Sequence, residues 1–115
     1  MYGFKNRVML VGNLGAAPDV KTTETGKKMA RFSVATNENY KNSNGEKVTD
    51  TQWHNLVAWE KMAEVAEKIL DKGTEVVVEG RLVSRSYTDK EGIKKYITEV
   101  VVSDMMLMNS RAAVS

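Results

Sequence analysis

Only one stretch of this 115-residue chain repeats its apolar residues at helical spacing. Between Glu60 and Leu70, Met62, Ala63, Val65, Ala66, Ile69 and Leu70 recur three and four positions apart, which is one face of an amphipathic helix. Lys72-Gly73 follows as a stop, with Gly73 suited to a left-handed cap. Around this helix the pattern is that of strands. Arg7 to Leu14 is a short apolar run closed by Gly12, Asn13 and Gly15, a buried strand. Ala16 to Lys28 holds the only proline, Pro18, and a Thr23-Glu24-Thr25-Gly26 turn, and reads as a loop or a bent strand extension. Ala30, Phe32 and Val34 alternate with Arg31, Ser33 and Ala35 as a half-buried strand.

Asn42-Ser43-Asn44-Gly45 then turns the chain, Asn-Gly favouring the positive backbone angles of a hairpin. A third strand runs from about Val48 to Trp59. After the helix, Val76, Val78, Gly80 and Leu82 share one face of a fourth strand, with Arg81, Arg85 and Tyr87 on the other. Asp89 to Gly92 turns into a fifth strand, Tyr96 to Val102. Three strands, one helix and two strands fit an all-β OB-fold, a five-stranded Greek-key barrel with its helix between strands 3 and 4. The length allows one domain with a real core and no second one.

The run Thr51 to Trp59 carries chemistry as well as fold. Alternation puts Trp53, Asn55, Val57 and Trp59 on one face and His54, Leu56 and Ala58 on the other. Leu56 and Ala58 already supply a core, so two indoles stand on the opposite side. Two readings stay open on this run alone: aromatics arrayed to stack on unpaired bases, or tryptophans buried because tryptophans bury well.

Charge adds a direction. The net charge of +2 is too small to point to nucleic acid by itself. Its distribution is more informative: Glu60 to Lys72 sums to −1 and the remainder to +3. Arg81, Arg85, Lys90, Lys94 and Lys95 face only Asp89 and Glu91 between residues 81 and 95. Cations gathered away from an acidic segment suit a polyanion groove.

Enzymatic readings find little support. With no cysteine there is no disulfide, thiolate metal site or Cys nucleophile. The single histidine, His54, has no acid pattern beside it. Gly26-Lys27-Lys28 does not complete a phosphate loop, which needs Gly at position 21 and Ser or Thr at 28 where this chain has lysines. No carboxylate cluster or nucleophile–base pair suggests catalysis. Neither an enzyme nor a cofactor or metal is expected. No apolar run approaches the ~20 residues of a membrane span, and a cytoplasmic protein is expected.

Val8-Met9-Leu10-Val11-Gly12-Asn13-Leu14-Gly15 with Pro18 resembles the opening of bacterial single-stranded DNA-binding proteins, the SSB family. So do Val34-Ala35-Thr36, Thr51-Gln52-Trp53-His54, Ala63-Glu64-Val65-Ala66, Lys72-Gly73, Val78-Glu79-Gly80 and Thr98-Glu99-Val100, in family order from about residue 5 to 108. The resemblance implies a homotetramer of OB-folds that binds single-stranded DNA regardless of sequence, in replication, recombination and repair. It maps the base-stacking positions onto Tyr40, Trp53, Trp59 and Tyr87; Tyr40, Trp59 and Tyr87 stand where Trp, Phe and Trp are more usual. On family-matching segments the cations expected to meet phosphates are Arg7, Lys21, Lys61, Lys72 and Arg85, with Arg31, Lys41, Arg81, Lys94 and Lys95 weaker candidates. Asn55 is expected to hydrogen-bond a base or phosphate where the family often has a basic residue. His54 is expected at a subunit contact, and Met105, Met106 and Met108 in core or subunit packing.

Residues 1–110 are thus expected to form the DNA-binding and oligomerisation domain, with 111–115 a short C-terminal remnant. Family members usually continue into a flexible tail with an acidic, apolar tip that recruits replication and repair enzymes. Arg111 to Ser115 shows no such tip, so recruitment by that route is not expected here. The alternative is an SSB-like primosome or scaffold protein that mainly binds other proteins; it predicts loss of the stacking aromatics, yet all four positions are aromatic.

Overall fold

The structure, a computed structural model, describes residues 5–108. Six strands and one helix follow in order: β1 (Val8–Leu14), β2 (Asp19–Thr22), β3 (Lys28–Lys41), β4 (Lys47–Trp59), α1 (Lys61–Ile69), β5 (Glu75–Thr88) and β6 (Lys94–Leu107). The strands form one sheet in the order β1-β5-β6-β4-β3-β2, closed by a further pairing of β1 with β3. Six runs stand where five were expected because the first stave is broken. β1 pairs with β5 over Val8–Asn13 and reaches β3 at Asn13 and Leu14, and β2 continues along β3. Pro18 lies in the break, where a residue without an N–H costs no ladder bond. β1 and β2 are therefore one bent stave, and the barrel has five.

Two strand crossings are tight enough to require glycine. A Cβ on Gly12 would lie 2.1 Å from the Ala35 carbonyl oxygen, and one on Gly80 would lie 2.2 Å from that of Val101. Backbones meet where a side chain would hold them apart. The β5–β6 register also shifts between Glu79 and Gly80, a bulge of the kind that bends strands into barrels.

The core fills the barrel from alternate positions: Phe32 and Val34, Leu56 and Ala58, Val76 and Val78, Val100 and Val102. α1 lays Ala63 and Ala66 against this core, small residues that bring the helix close. Leu70, also buried in this core, is extended and ends the helix, its N–H donating to Ala66 O. Gly73 is thus not the helix cap the sequence suggested. It turns three residues later, with φ 84° and its N–H on Leu14 O at 2.9 Å.

Beyond the barrel, β3–β4 and β5–β6 run on as two-stranded arms whose residues are mostly exposed. Such ribbons are marginal alone. Here Thr51 Oγ1 donates to Asn37 Oδ1 at 2.6 Å and Thr49 Oγ1 to Asn39 Oδ1 at 2.8 Å across one of them. Both arm tips, and the β2–β3 turn, follow one plan. The side-chain oxygen of the first residue (Thr23, Asn42 or Asp89) accepts the N–H four positions on, at 3.2, 2.9 and 2.9 Å. β6 extends well past the expected Val102, to Leu107. Residues 111–115 lie outside the described residues.

Candidate nucleic-acid interface

The outer face of the barrel is organised in rows that cross the strands. One row is Lys21, Met29 and Trp59; the next is Asp19, Arg31, Val57, Val101 and Arg81. Trp53 pairs with Ala35 and Asn55 with Ser33 further along. The indoles are open to solvent, Trp53 at 60% and Trp59 at 38% exposure. Val57 shares their face yet is buried, so this side of the sheet has an apolar floor between exposed rings.

Each expected aromatic has a definite place. Trp53 lies against Gly15, beside the segment where Gly73 and Thr74 bond Leu14. Trp59 ends β4 and borders an open hollow of about 270 Å³ with Thr23, Thr25, Lys27 and Glu60. Asn55, exposed, stands between the two indoles. Tyr87, exposed, is on the β5–β6 arm two positions beyond Arg85 and on the same face. Tyr40 is also exposed, but unbroken alternation puts it on the opposite face of its arm from Trp53. Trp53, Asn55 and Trp59 are therefore brought together, Tyr87 flanks them, and a strand must pass around an arm to meet Tyr40.

The cations divide into engaged and unengaged. Arg7 pairs with Glu79, Lys21 with Asp19 at 3.6 Å, and Arg85 with Glu99 at 2.9 Å. Lys61 and Lys72 make no ion pair among the described residues. Lys61 borders a hollow beside Lys27, Lys28 and Glu60; Lys72 sits in the turn next to Gly73. His54 is half-buried on the inner side, its Nε2 2.9 Å from Thr36 Oγ1. No group of acids and histidines able to hold a metal occurs among the described residues.

Sequence reading passes over two residues of this face. Lys27 borders the Trp59 hollow, and Glu99 lies beneath the arginines at only 4% exposure, the one buried charged residue described. Its signal was a lone acid inside the apolar run Tyr96 to Val102. Glu99 accepts from Arg85 Nε and from Arg31 Nη1. Burial opposes its ionisation, but the hydrogen bonds from Arg85 and Arg31 and their charges outweigh it and hold its carboxyl below the ordinary value. The same hydrogen bond raises Arg85 despite its desolvation.

The chain has close matches among known proteins. The model of the "Single-strand binding protein family" matches residues 5–108. Single-stranded DNA-binding protein 1 of Chlorobaculum tepidum is 43% identical over 107 residues, covering 92% of this chain and 66% of its own length. The single-stranded DNA-binding protein of Neisseria meningitidis is 40% identical over 106 residues, 92% of this chain and 61% of the relative. The chain thus spans about two-thirds or less of these relatives. A solved chain of the Plasmodium falciparum SSB complex with ssDNA superposes with a TM-score of 0.81 at 33% identity, covering 95% of this chain and 99% of that one.

Proposed function

The chain belongs to the single-strand binding protein family, and from that premise we propose that it binds single-stranded DNA without reading its sequence. Bases stack on Trp53 and Trp59 and, at the arms, on Tyr87 and Tyr40; Arg7, Lys21, Lys61, Lys72 and Arg85 accompany the phosphates, with Asn55 as a polar contact between the indoles. One observation carries this reading: two exposed indoles stand on an outer sheet face whose rows also hold Lys21, Arg31 and Arg81. Every base has a π-face, so stacking is sequence-tolerant, and each stacked base contributes roughly 1–3 kcal/mol. A duplex hides those faces. The work of such a protein is to cover exposed strands during replication, recombination and repair, in the cytoplasm and on the nucleoid, and it needs no catalytic group.

The assembly is a homotetramer of one DNA-binding and oligomerisation domain, residues 1–110. Two features support association. Val11, Val77 and Met106 form an apolar row across β1, β5 and β6, with exposed Met9 beside it, a patch of the kind that marks interfaces. Most of β1 pairs on one side only, leaving an edge able to pair with a second copy. His54 lies at a contact between subunits.

Titration with oligo(dT), followed by intrinsic tryptophan fluorescence at two salt concentrations, tests the proposal against a matched duplex. Quenching by the single strand alone, weakened by salt, is expected. Absence of both quenching and binding overturns it and favours a scaffold that binds proteins.

A further inference from the structure

Glu99 is spent in an unusual way for a structural ion pair. Its carboxylate is covered, yet the two guanidinium side chains it holds remain 37% and 44% exposed, Arg31 and Arg85 respectively. Arg85 presents one edge to it, with Nε on Oε1 at 2.9 Å and Nη2 only at the limit from Oε2, 3.5 Å. Arg31 gives it one nitrogen. Most N–H groups of both forks are left over, and a guanidinium has no way to use them except on an acceptor. Glu99 and the two arginines it holds carry one net positive charge, and Arg81 adds a further cation to the hollow they border, a complement that suits a phosphodiester.

The surroundings fit that complement. The two arginines come from different hairpins, Arg31 from β3 and Arg85 from β5. They border an open hollow of about 280 Å³ that Arg81 also lines, with Val57 and Val101 as its apolar floor and Trp59 beside them. Tyr87 lies two positions beyond Arg85 on the same face. A strand stacked on Trp59 and on Tyr87 has to carry its backbone across this hollow.

We propose that Glu99 is a positioning residue that sets the Arg31 and Arg85 guanidiniums as a two-sided clamp for one backbone phosphate of the bound strand. The proposal rests on the single-strand reading given above. Without the carboxylate behind them, two like charges on long, flexible stems have no reason to share one orientation. With it, their free edges are fixed before the strand arrives, which saves the ordering that binding otherwise costs, and the forks match a phosphate in geometry as well as charge.

Affinity for oligo(dT), read by tryptophan quenching across a salt series, tests the clamp in Glu99→Gln, Arg85→Lys and the double variant, with circular dichroism as a check on folding. If the native chain does not bind oligo(dT), the single-strand reading itself fails. If it binds, the variants decide about the clamp alone. Glu99→Gln adds one net positive charge, so a purely electrostatic role gives tighter binding and a salt slope steeper by about 0.7. Positioning gives the opposite sign, binding weaker by about tenfold at every salt concentration. Arg85→Lys, which keeps the charge and loses the fork, is expected to cost about tenfold in the native chain but under about twofold once Glu99 is gone. Tighter or unchanged binding by Glu99→Gln, or independent effects of the two changes, overturns the proposal. Should Glu99→Gln not fold, Arg31→Lys and Arg85→Lys decide: weakened binding with the fold intact supports the clamp, and unchanged affinity overturns it.

Discussion

The indole of Trp53 rests on Gly15: a Cβ added there would come within 2.8 Å of Cζ3 and 3.0 Å of Cη2. A ring that is largely in solvent is thus given one orientation by a residue with no side chain. Gly15→Ala is expected to push the ring aside, because the far end of an exposed side chain yields more easily than backbone. The emission spectrum of the free protein shifts and oligo(dT) affinity falls several-fold, by about 1 kcal/mol, while the unfolding temperature changes little. Fluorescence titration beside thermal unfolding checks both halves.

Trp53 and Leu56, three residues apart on opposite faces of β4, are expected to separate binding from stability. Trp53→Ala is expected to lose roughly 1–3 kcal/mol of binding and little stability, since the ring is mostly exposed. Leu56→Ala empties the barrel core and is expected to cost about 2–5 kcal/mol in urea unfolding. A large stability loss in Trp53→Ala would return that indole to the core.

Glu60, directly after Trp59, holds φ 52° and ψ −113° and makes no side-chain cap for α1. This is the one positive-φ residue other than glycine among those described, and glycine adopts such angles without strain. Glu60→Gly is expected to stabilise the fold by about 1 kcal/mol. It also removes a negative charge from hollows shared with Lys27 and Lys61, so low-salt affinity for oligo(dT) rises. Denaturant unfolding and a salt series measure the two effects.

Glu99 gives the fold an acid limit. Its folded carboxyl lies below the ordinary value of 4.5, so the unfolded chain takes up this proton first as pH falls. The stabilisation is complete above the unfolded value and is lost as pH drops through the folded one. Thermal unfolding between about pH 6 and about pH 3 is expected to fall less steeply in Glu99→Gln than in the native chain. Parallel curves would mean that other carboxylates set the limit.

Association is expected to depend on the Val11, Val77 and Met106 row. Met106→Glu places a charge on an exposed position, so the barrel folds, but sedimentation equilibrium is expected to show species smaller than those the native chain forms. An unchanged mass would move the interface elsewhere.

Much of this was legible in the sequence, for identifiable reasons. The helix and the strand order follow from periodicity, which burial imposes on the chain directly. The outward placement of Trp53 and Trp59 follows from Leu56 and Ala58 occupying the other face. The bent first stave was ambiguous because four residues, Asp19–Thr22, are too few for alternation to register. The opposed placement of Tyr40 and Trp53 depends on the β3–β4 register, which joins residues far apart in the chain. Arg85 was legible as a cation, and its tie to Glu99 was not: the two meet only when β5 folds back along β6. Lys27 looked like a failed phosphate loop until the β2–β3 turn brought it to Trp59.

β4 and β6 join within the barrel through a short parallel seam of two residue pairs, Leu56 with Val100 and Val57 with Val101. Arg31 reaches across from the β3–β4 hairpin to Glu99 on the β5–β6 hairpin, beside that seam. The joining of the two hairpins and the proposed phosphate clamp therefore share the same few groups. A ligand anion seated there would act as a rivet between the hairpins, so that occupancy raises resistance to unfolding and loosening of the seam releases the cargo.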